Sequence, residues 1–247
     1  GIYDYLLEQK KNGRIKHLGF SAHGDINCMK RFLDAYGKDM EFCQIELNYF
    51  DYIFQNAKGK VELLDEWNIP VWVMEPVRGG QLATLSDEAT AKLKALRPNE
   101  SVPAWAFRFL QSIPSVTMTL SGMSDMKQLK ENIKTYETNE ALNDEEFQLI
   151  LDIADEMIKK TTIPCTACHY CVSHCPKGID IPFLLKLYNE AMVAGSGDFI
   201  APMALASITP DKQPESCVAC HSCEKECPQN IHIPDELRNF AVKLGRA

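Results

Sequence analysis

The sequence predicts two domains: an α/β domain of alternating strands and helices, then a smaller, mainly helical domain organised by cysteine. Three observations predict it. Strand-like and helix-like segments alternate along the first 160 residues. Of ten cysteines, only Cys28 and Cys43 lie there, and the other eight fall between Cys165 and Cys227. Those eight belong to a repeat at a constant offset of 52 residues. The boundary is therefore set at 160, giving domains 1–160 and 161–247.

The alternating segments follow in order. Ile15–Ser21 reads as a strand, and Asp25–Tyr36 has helical apolar spacing at Ile26, Met29, Phe32 and Leu33. Phe42–Leu47 is a second strand. Ala57–Trp67 is helical, with Val61, Leu64 and Trp67 apolar. Pro70–Glu75 is a third strand, Asp87–Leu96 and Ser101–Gln111 are helices, and Ser115–Ser121 is a fourth strand. Asp125–Tyr136 and Asp144–Lys159 close the region as helices, the acidic start Asn143–Glu146 suiting a helix dipole. Such alternation argues for parallel βα units. Each strand ends in small or polar residues, and in α/β proteins ligands bind at the carboxyl ends of parallel strands.

Composition narrows the function. The 247 residues are 45% hydrophobic and 24% charged, ordinary for a globular protein and wrong for a disordered or fibrous one. No apolar run of about 18 residues predicts a membrane span. The net charge of −8 comes without a basic block, which excludes nucleic acid and anionic membrane as natural partners. The chain begins Gly1-Ile2-Tyr3-Asp4, without an initiator Met or a signal-peptide layout, the pattern of a processed piece or a fragment.

The cysteines read Cys165-x2-Cys168-x2-Cys171-x3-Cys175-Pro176 and Cys217-x2-Cys220-x2-Cys223-x3-Cys227-Pro228. This is the bacterial ferredoxin run written twice, in which three closely spaced thiolates hold one cluster and the fourth reaches the other. The pattern assigns Cys165, Cys168, Cys171 and Cys227 to one 4Fe–4S cluster, and Cys217, Cys220, Cys223 and Cys175 to a second. Disulfides would need an oxidising compartment, and zinc ribbons usually separate two CxxC pairs by a long loop. His169, His174 and His221 sit in or beside the motifs, where eight cysteines already suffice. Each run continues as Cys-Pro-x-x-Ile-x-Ile-Pro, ending at Pro182 and Pro234, and leads into helical spacing. The stripes are Leu184, Leu187, Tyr188, Ala191 and Met192, then Leu237, Phe240, Ala241 and Leu244. With 41 residues between Cys175 and Cys217, the unit resembles α-helical ferredoxin modules more than the small β-containing ferredoxins.

Arg14–Ser21, Gln44 with Asn48-Tyr49, and Pro76–Gly80 resemble, in that order, the fifth strand, the sixth strand and the turn after the seventh strand of the aldo/keto reductases. Leu120-Ser-Gly-Met-Ser-Asp-Met-Lys-Gln-Leu-Lys-Glu-Asn132, the most specific motif, is similar to the eighth strand and its helix. The whole resembles the iron–sulfur type, with a C-terminal two-cluster domain. The resemblance implies the second half of a (β/α)8 TIM barrel, strands five to eight onward, binding NADP(H) or NAD(H). Ser21 and Gln44 would contact the carboxamide, Pro76 and Val77 the pyrophosphate, and Gly122, Ser124, Gln128, Glu131 and Asn132 the adenosine end. Backbone N–H groups starting Asp125–Tyr136 would suit a phosphate. Ala22 and Glu75 depart from the family's usual Asn and Ser, and the basic residue that commonly contacts a ribose 2′-phosphate has become Met123 or lies elsewhere.

The family's catalytic Tyr, Lys, Asp and His come from the first half of the barrel, so the resemblance implies no catalytic residue in this chain. A half barrel leaves two raw sheet edges, met by self-association or by a first half. Arg78 is open between a phosphate clamp, a residue facing the cluster domain and a solvated loop arginine. His23 reads as a loop histidine or proton donor, Cys28 and Cys43 as buried thiols, and Trp67, Trp72, Trp105 and Phe109 as core.

Three functions remain open. The first is an oxidoreductase exchanging a hydride with a small carbonyl or alcohol, coupled to two clusters. The second is a non-enzymatic electron-transfer module serving a redox partner protein, and the third a cluster-stabilised structural fragment. A hydride carries two electrons and a cluster one, so direct wiring needs a flavin or partner, and no flavin signal occurs. Thiolate-held clusters point to the cytoplasm.

Overall fold

The computed structural model describes residues 1–194 and 199–246. The chain divides into two compact units, Gly1–Glu156 and Met157–Ala247.

The first unit runs α1 (Ile2–Lys11), β1 (Phe20–Ala22), α2 (Ile26–Tyr36), β2 (Cys43–Glu46), α3 (Tyr49–Phe54), α4 (Ala57–Glu66), β3 (Val71–Met74), α5 (Asp87–Leu96), α6 (Val102–Gln111), β4 (Val116–Thr119) and α7 (Met126–Tyr136). α8 (Asp144–Thr161) crosses the boundary. The strands form one sheet in the order β1-β2-β3-β4, every neighbouring pair parallel. That is half the strand number of a (β/α)8 barrel. One edge of β1 and one of β4 carry no partner strand among the described residues.

Strand alternation decides which side chains reach the ligand face. Cys43, Ile45, Val71 and Val73 are fully buried on one face of the sheet. Gln44, Glu46, Trp72 and Met74 alternate with them and point the other way. Ser21 is in register with Gln44, and Gln44 with Trp72.

Three local findings differ from the sequence expectations. β1 is shorter than Ile15–Ser21, because the Glu41 carboxylate accepts the Leu18 N–H at 2.8 Å before a strand partner can. Lys10 at 2.9 Å and that N–H hold the Glu41 carboxyl down to about 2. α3 has no counterpart among the expected elements; Asn48 caps it, its Oδ1 accepting the Asp51 N–H at 2.8 Å. Cys28 is exposed, not a buried thiol, whereas Cys43 is buried. Trp105 and Phe109 lie in the core, with Trp67 and Trp72 partly buried.

Helix starts elsewhere follow their sequence signals. Asp25 and Ser86 cap α2 and α5. Asn143 and Glu146 form a reciprocal capping box, each side chain accepting the other's N–H at 3.0 and 2.9 Å. Arg97 grips the same Glu146 with two bonds of 2.6 Å, and this holds the Glu146 carboxyl below its ordinary value.

The second unit contains α9 (Ile181–Ala194), α10 (Ile200–Leu205) and α11 (Ile233–Lys243), joined by loops and short 3-10 turns, with no strand among its described residues. α9 and α11 bury Leu184, Leu187, Tyr188, Leu237 and Phe240 in one core. Tyr188 and Phe240, 52 residues apart in the repeat, stack at 5.1 Å. Matched positions that touch each other mark the axis of an internal pseudo-two-fold. Met192, expected in the α9 stripe, is 39% exposed, and Leu185 is buried instead. α10 lies within the stretch between Cys175 and Cys217. No helix among the described residues is long and apolar enough to cross a membrane.

Candidate functional site

The cysteine loops are built by a backbone pattern that appears twice. Ala167 and His169 have φ of 53° and 64°, and Ala219 and His221, their counterparts, 50° and 58°. After each fourth cysteine the pattern recurs at Gly178 (59°) and Asn230 (52°). Each left-handed non-glycine residue costs about 1 kcal/mol, so the five of them here, in register with one glycine, are held by something shared. Left-handed residues at alternate positions turn backbone N–H groups toward a concavity that favours negative charge. Backbone N–H groups accordingly reach thiols: Ala167 toward Cys165, Ser222 toward Cys220, and Ile179 toward the Cys175 Sγ at 3.4 Å.

The loops enclose two cavities. Cys165, Cys168, Cys171 and Cys227 line one; Cys217, Cys220, Cys223 and Cys175 line the other. Each spans about 310 Å³ of space free of protein atoms, its opening to solvent included. The remaining walls are mostly proline, leucine and isoleucine from the ends of α9 and α11 and the turns before them. Burial pushes the Cys171 and Cys223 thiols up to about 11. A thiolate there needs positive charge in the cavity to compensate it. Among the described residues no three Cys, His, Asp or Glu side chains converge closely enough to hold a single ion. Each set of four cysteines rings a volume. Four sulfurs, apolar walls and inward N–H groups fit an iron–sulfur centre in each cavity.

His169 and His221 line one cavity each. The His221 Nδ1 lies 2.7 Å from the Glu224 carboxylate, and His174 Nδ1 lies 4.0 Å from Glu226.

The second candidate site is a groove at the carboxyl ends of the strands, of about 1470 Å³ including its open mouth. Of the nine residues implied to hold a dinucleotide, Gln44, Pro76, Val77, Gly122, Ser124, Gln128, Glu131 and Asn132 line it. Ser21 does not. It stands exposed on β1, one strand beyond Gln44. Gln44 donates to the Met74 Sδ at 3.5 Å, and Asn132 donates to the Ser121 Oγ at 3.2 Å.

The turn after β3 shapes one wall. Glu75, Arg78, Gly79 and Gly80 all have positive φ. The Glu75 carboxylate accepts the Gly79 N–H, and Asn48 Nδ2 donates to the Glu75 carbonyl at 2.9 Å. Arg78 faces neither solvent nor groove, which removes it as a phosphate clamp. Its Nε donates to the fully buried Asp51 carboxylate at 2.9 Å, and its guanidinium lies over the Phe50 ring at 5.0 Å. Glu46, beside this pair, is pushed up to about 8 by burial and by the Asp51 charge.

The helix opening the other wall is already satisfied. The Asp125 carboxylate accepts the N–H groups of Lys127 and Gln128 at 2.8 and 2.9 Å. The Gln128 Oε1 accepts the Ser124 N–H at 2.8 Å. The expected phosphate cradle at the start of α7 is therefore occupied by the chain's own side chains. Glu75 and Glu131 line the groove, and no lysine or arginine does. These residues supply amides for a carboxamide but no cation for a nucleotide phosphate. In this respect they do not fit the cofactor.

Sequence models of two families match the chain. The aldo/keto reductase family covers residues 1–155, and the 4Fe-4S dicluster domain covers residues 164–232. A curated relative is one subunit of the H(2):CoB-CoM heterodisulfide,ferredoxin reductase of Methanothermobacter thermautotrophicus. It is 29% identical over 85 residues, covering 33% of this chain and 41% of that protein. A similar solved structure is the thermostable aldo-keto reductase Tm1743 in complex with epalrestat, with TM-score 0.51 and 19% identity over 61% of this chain and 53% of that one. Another is aldo-keto reductase AKR11C1 from Bacillus halodurans in its holo form, with TM-score 0.49 and 21% identity over 60% and 53%. At 19% identity the likeness to the first is one of fold alone. The chain spans about half the length of these solved structures.

Proposed function

Because the chain belongs to the aldo/keto reductase family and carries a 4Fe-4S dicluster domain, we propose that it serves an iron–sulfur oxidoreductase as its one-electron module. The observation that carries this reading is the partition of eight cysteines, four to each cavity, with three from one loop and one from the other. Bound there, two 4Fe–4S clusters would supply one-electron chemistry. The chain's own residues do the rest. Thiolates of Cys165, Cys168, Cys171 and Cys227, and of Cys217, Cys220, Cys223 and Cys175, hold the two centres. The N–H groups of Ala167, Ile179 and Ser222 bond sulfur and moderate its charge. Isoleucine, leucine and proline side chains exclude water, and a redox partner protein in the cytoplasm exchanges the electrons.

A second reading is favoured by the groove. Eight of its lining residues are those implied for NAD(P)H, so the parent enzyme would reduce a small carbonyl or oxidise an alcohol. In that reading these four strands are strands five to eight of the barrel, and the other half brings the catalytic groups. The unpaired edges of β1 and β4 would take that half or a second copy. Against it stands the groove's lack of a cation. One experiment on anaerobically purified protein tests both readings. Roughly eight iron and eight acid-labile sulfide per chain are expected for two cubane centres; zinc without sulfide would end the first reading. NADPH is then titrated while protein fluorescence and cluster absorbance are followed. Saturable binding with bleaching supports the second reading, and the absence of both leaves the dicluster unit as the chain's only redox site.

A further inference from the structure

The two cavities are nearly the same object. Each is lined by twelve residues, and the twelve of one map onto the twelve of the other at the offset of 52. Ten pairs are identical. Thr166 is matched by Val218 across the repeat, and Gln229 by Lys177. The second difference is electrical, because Lys177 is the one lysine, arginine or carboxylate residue in either lining.

The groups around that lysine do not cancel it by symmetry. Lys212 donates its Nζ to the Lys177 carbonyl, which brings a second ammonium to the same turn. Asp211 lies 3.9 Å from the Lys212 Nζ. Glu224, next to Cys223, is engaged by two imidazoles, His221 at 2.7 Å and His232 at 3.7 Å. At the other cavity the position matched to Glu224 is Val172, and Glu226 lies 4.0 Å from His174. Of the neighbouring carboxylates, Asp211 and Glu224 are each paired with a basic side chain, and Asp180, between Ile179 and Ile181, accepts the Phe183 N–H at 3.3 Å, whereas Lys177 itself forms part of the wall.

Taking the iron–sulfur reading above as its premise, we propose that Lys177 makes the two sites unequal. The site of Cys175, Cys217, Cys220 and Cys223 is the easier to reduce, and the site of Cys165, Cys168, Cys171 and Cys227 the harder. Reduction adds one negative charge to a centre that already carries thiolates. A nearby ammonium stabilises the added charge, and local charge is a principal lever on cluster potentials. The Thr166/Val218 difference acts through one hydroxyl dipole, a weaker field than a full charge at comparable distance. Lys177 is a positioning residue for charge and not a ligand.

The repeat supplies its own controls. Lys177→Gln installs the residue found at position 229, on an exposed turn, so the fold is retained. Gln229→Lys installs the reverse. Full-length protein is purified without oxygen, its iron and sulfide are counted, and its potentials are read by EPR-monitored redox titration. Wild type is expected to show two separate one-electron steps. Lys177→Gln should lower the upper step toward the lower, and Gln229→Lys should raise the lower toward the upper. Coincident steps in wild type, or an upper step unmoved by Lys177→Gln, overturn this inference while leaving the clusters standing. Protein without sulfide overturns the cluster reading and this inference with it.

Discussion

Glu46 shows what a single side chain contributes once its neighbours are known. It sits beside Asp51, whose charge is held by Arg78, and burial with that charge raises its carboxyl from 4.5 to about 8. Between those values the folded chain keeps a proton that the unfolded chain releases. Stability therefore falls as pH rises through that window, by up to about 1.4 kcal/mol per pH unit. Denaturant unfolding of the first unit from pH 5 to pH 8 should show this slope, and Glu46→Gln should flatten it. Equal slopes in the two proteins would contradict the assignment. None of this network is legible in the sequence. Arg78 beside two glycines stays open in the sequence between a phosphate clamp, a residue facing the cluster domain and a solvated loop arginine, because nothing local announces that Asp51 lies 27 positions earlier under the same turn. The cysteine positions are legible for the opposite reason: their spacing is itself the constraint, so no distant partner has to be guessed.

Helix α7 sets capping against ligand binding. Asp125 commits its carboxylate to the Lys127 and Gln128 N–H groups, the donors a phosphate would use. Asp125→Ala should cost about 1 kcal/mol of stability, the usual loss when an N-cap is removed. The same substitution should improve NADH binding in the groove, since it frees two donors and removes a negative charge. Thermal unfolding and fluorescence titration of the same variant read the two effects, and a loss of both stability and binding would argue that the cap shapes the groove. Most helices are legible from apolar period and caps, and α5 begins and ends where its pattern does. α3 is not, because its six residues are nearly all aromatic or apolar and show no one-sided stripe. α10 is likewise too short for a period to show, and Pro202 in its middle argues against a helix. β1 reads too long in the sequence because only tertiary contact tells that Glu41 captures the Leu18 N–H.

At the scale of the molecule, the two units keep different kinds of interior. The first buries aliphatic and aromatic residues such as Leu33, Trp105 and Phe109, with no cluster cysteine among them. The second places six of its eight cluster thiols in or against its core, Cys171 and Cys223 being core residues, and leaves Cys168 and Cys220 exposed. Removing iron with a chelator under oxidising conditions should therefore strip hydrogen-exchange protection from α9 and α11 while β2 and β3 keep theirs. Equal loss in both units would show that the first depends on the clusters as well. The skew of cysteines makes this division readable from the sequence, whereas the pseudo-two-fold needs coordinates, because only they show Tyr188 against Phe240. That symmetry carries a historical consequence. One copy of the repeat supplies three ligands to one site and a single ligand to the other, so it completes neither alone. Two identical halves paired about an axis would complete both, as a homodimer does. In such a dimer the wall positions are one gene position and cannot differ. Joining the halves in a single chain is what lets position 177 be lysine while position 229 is glutamine.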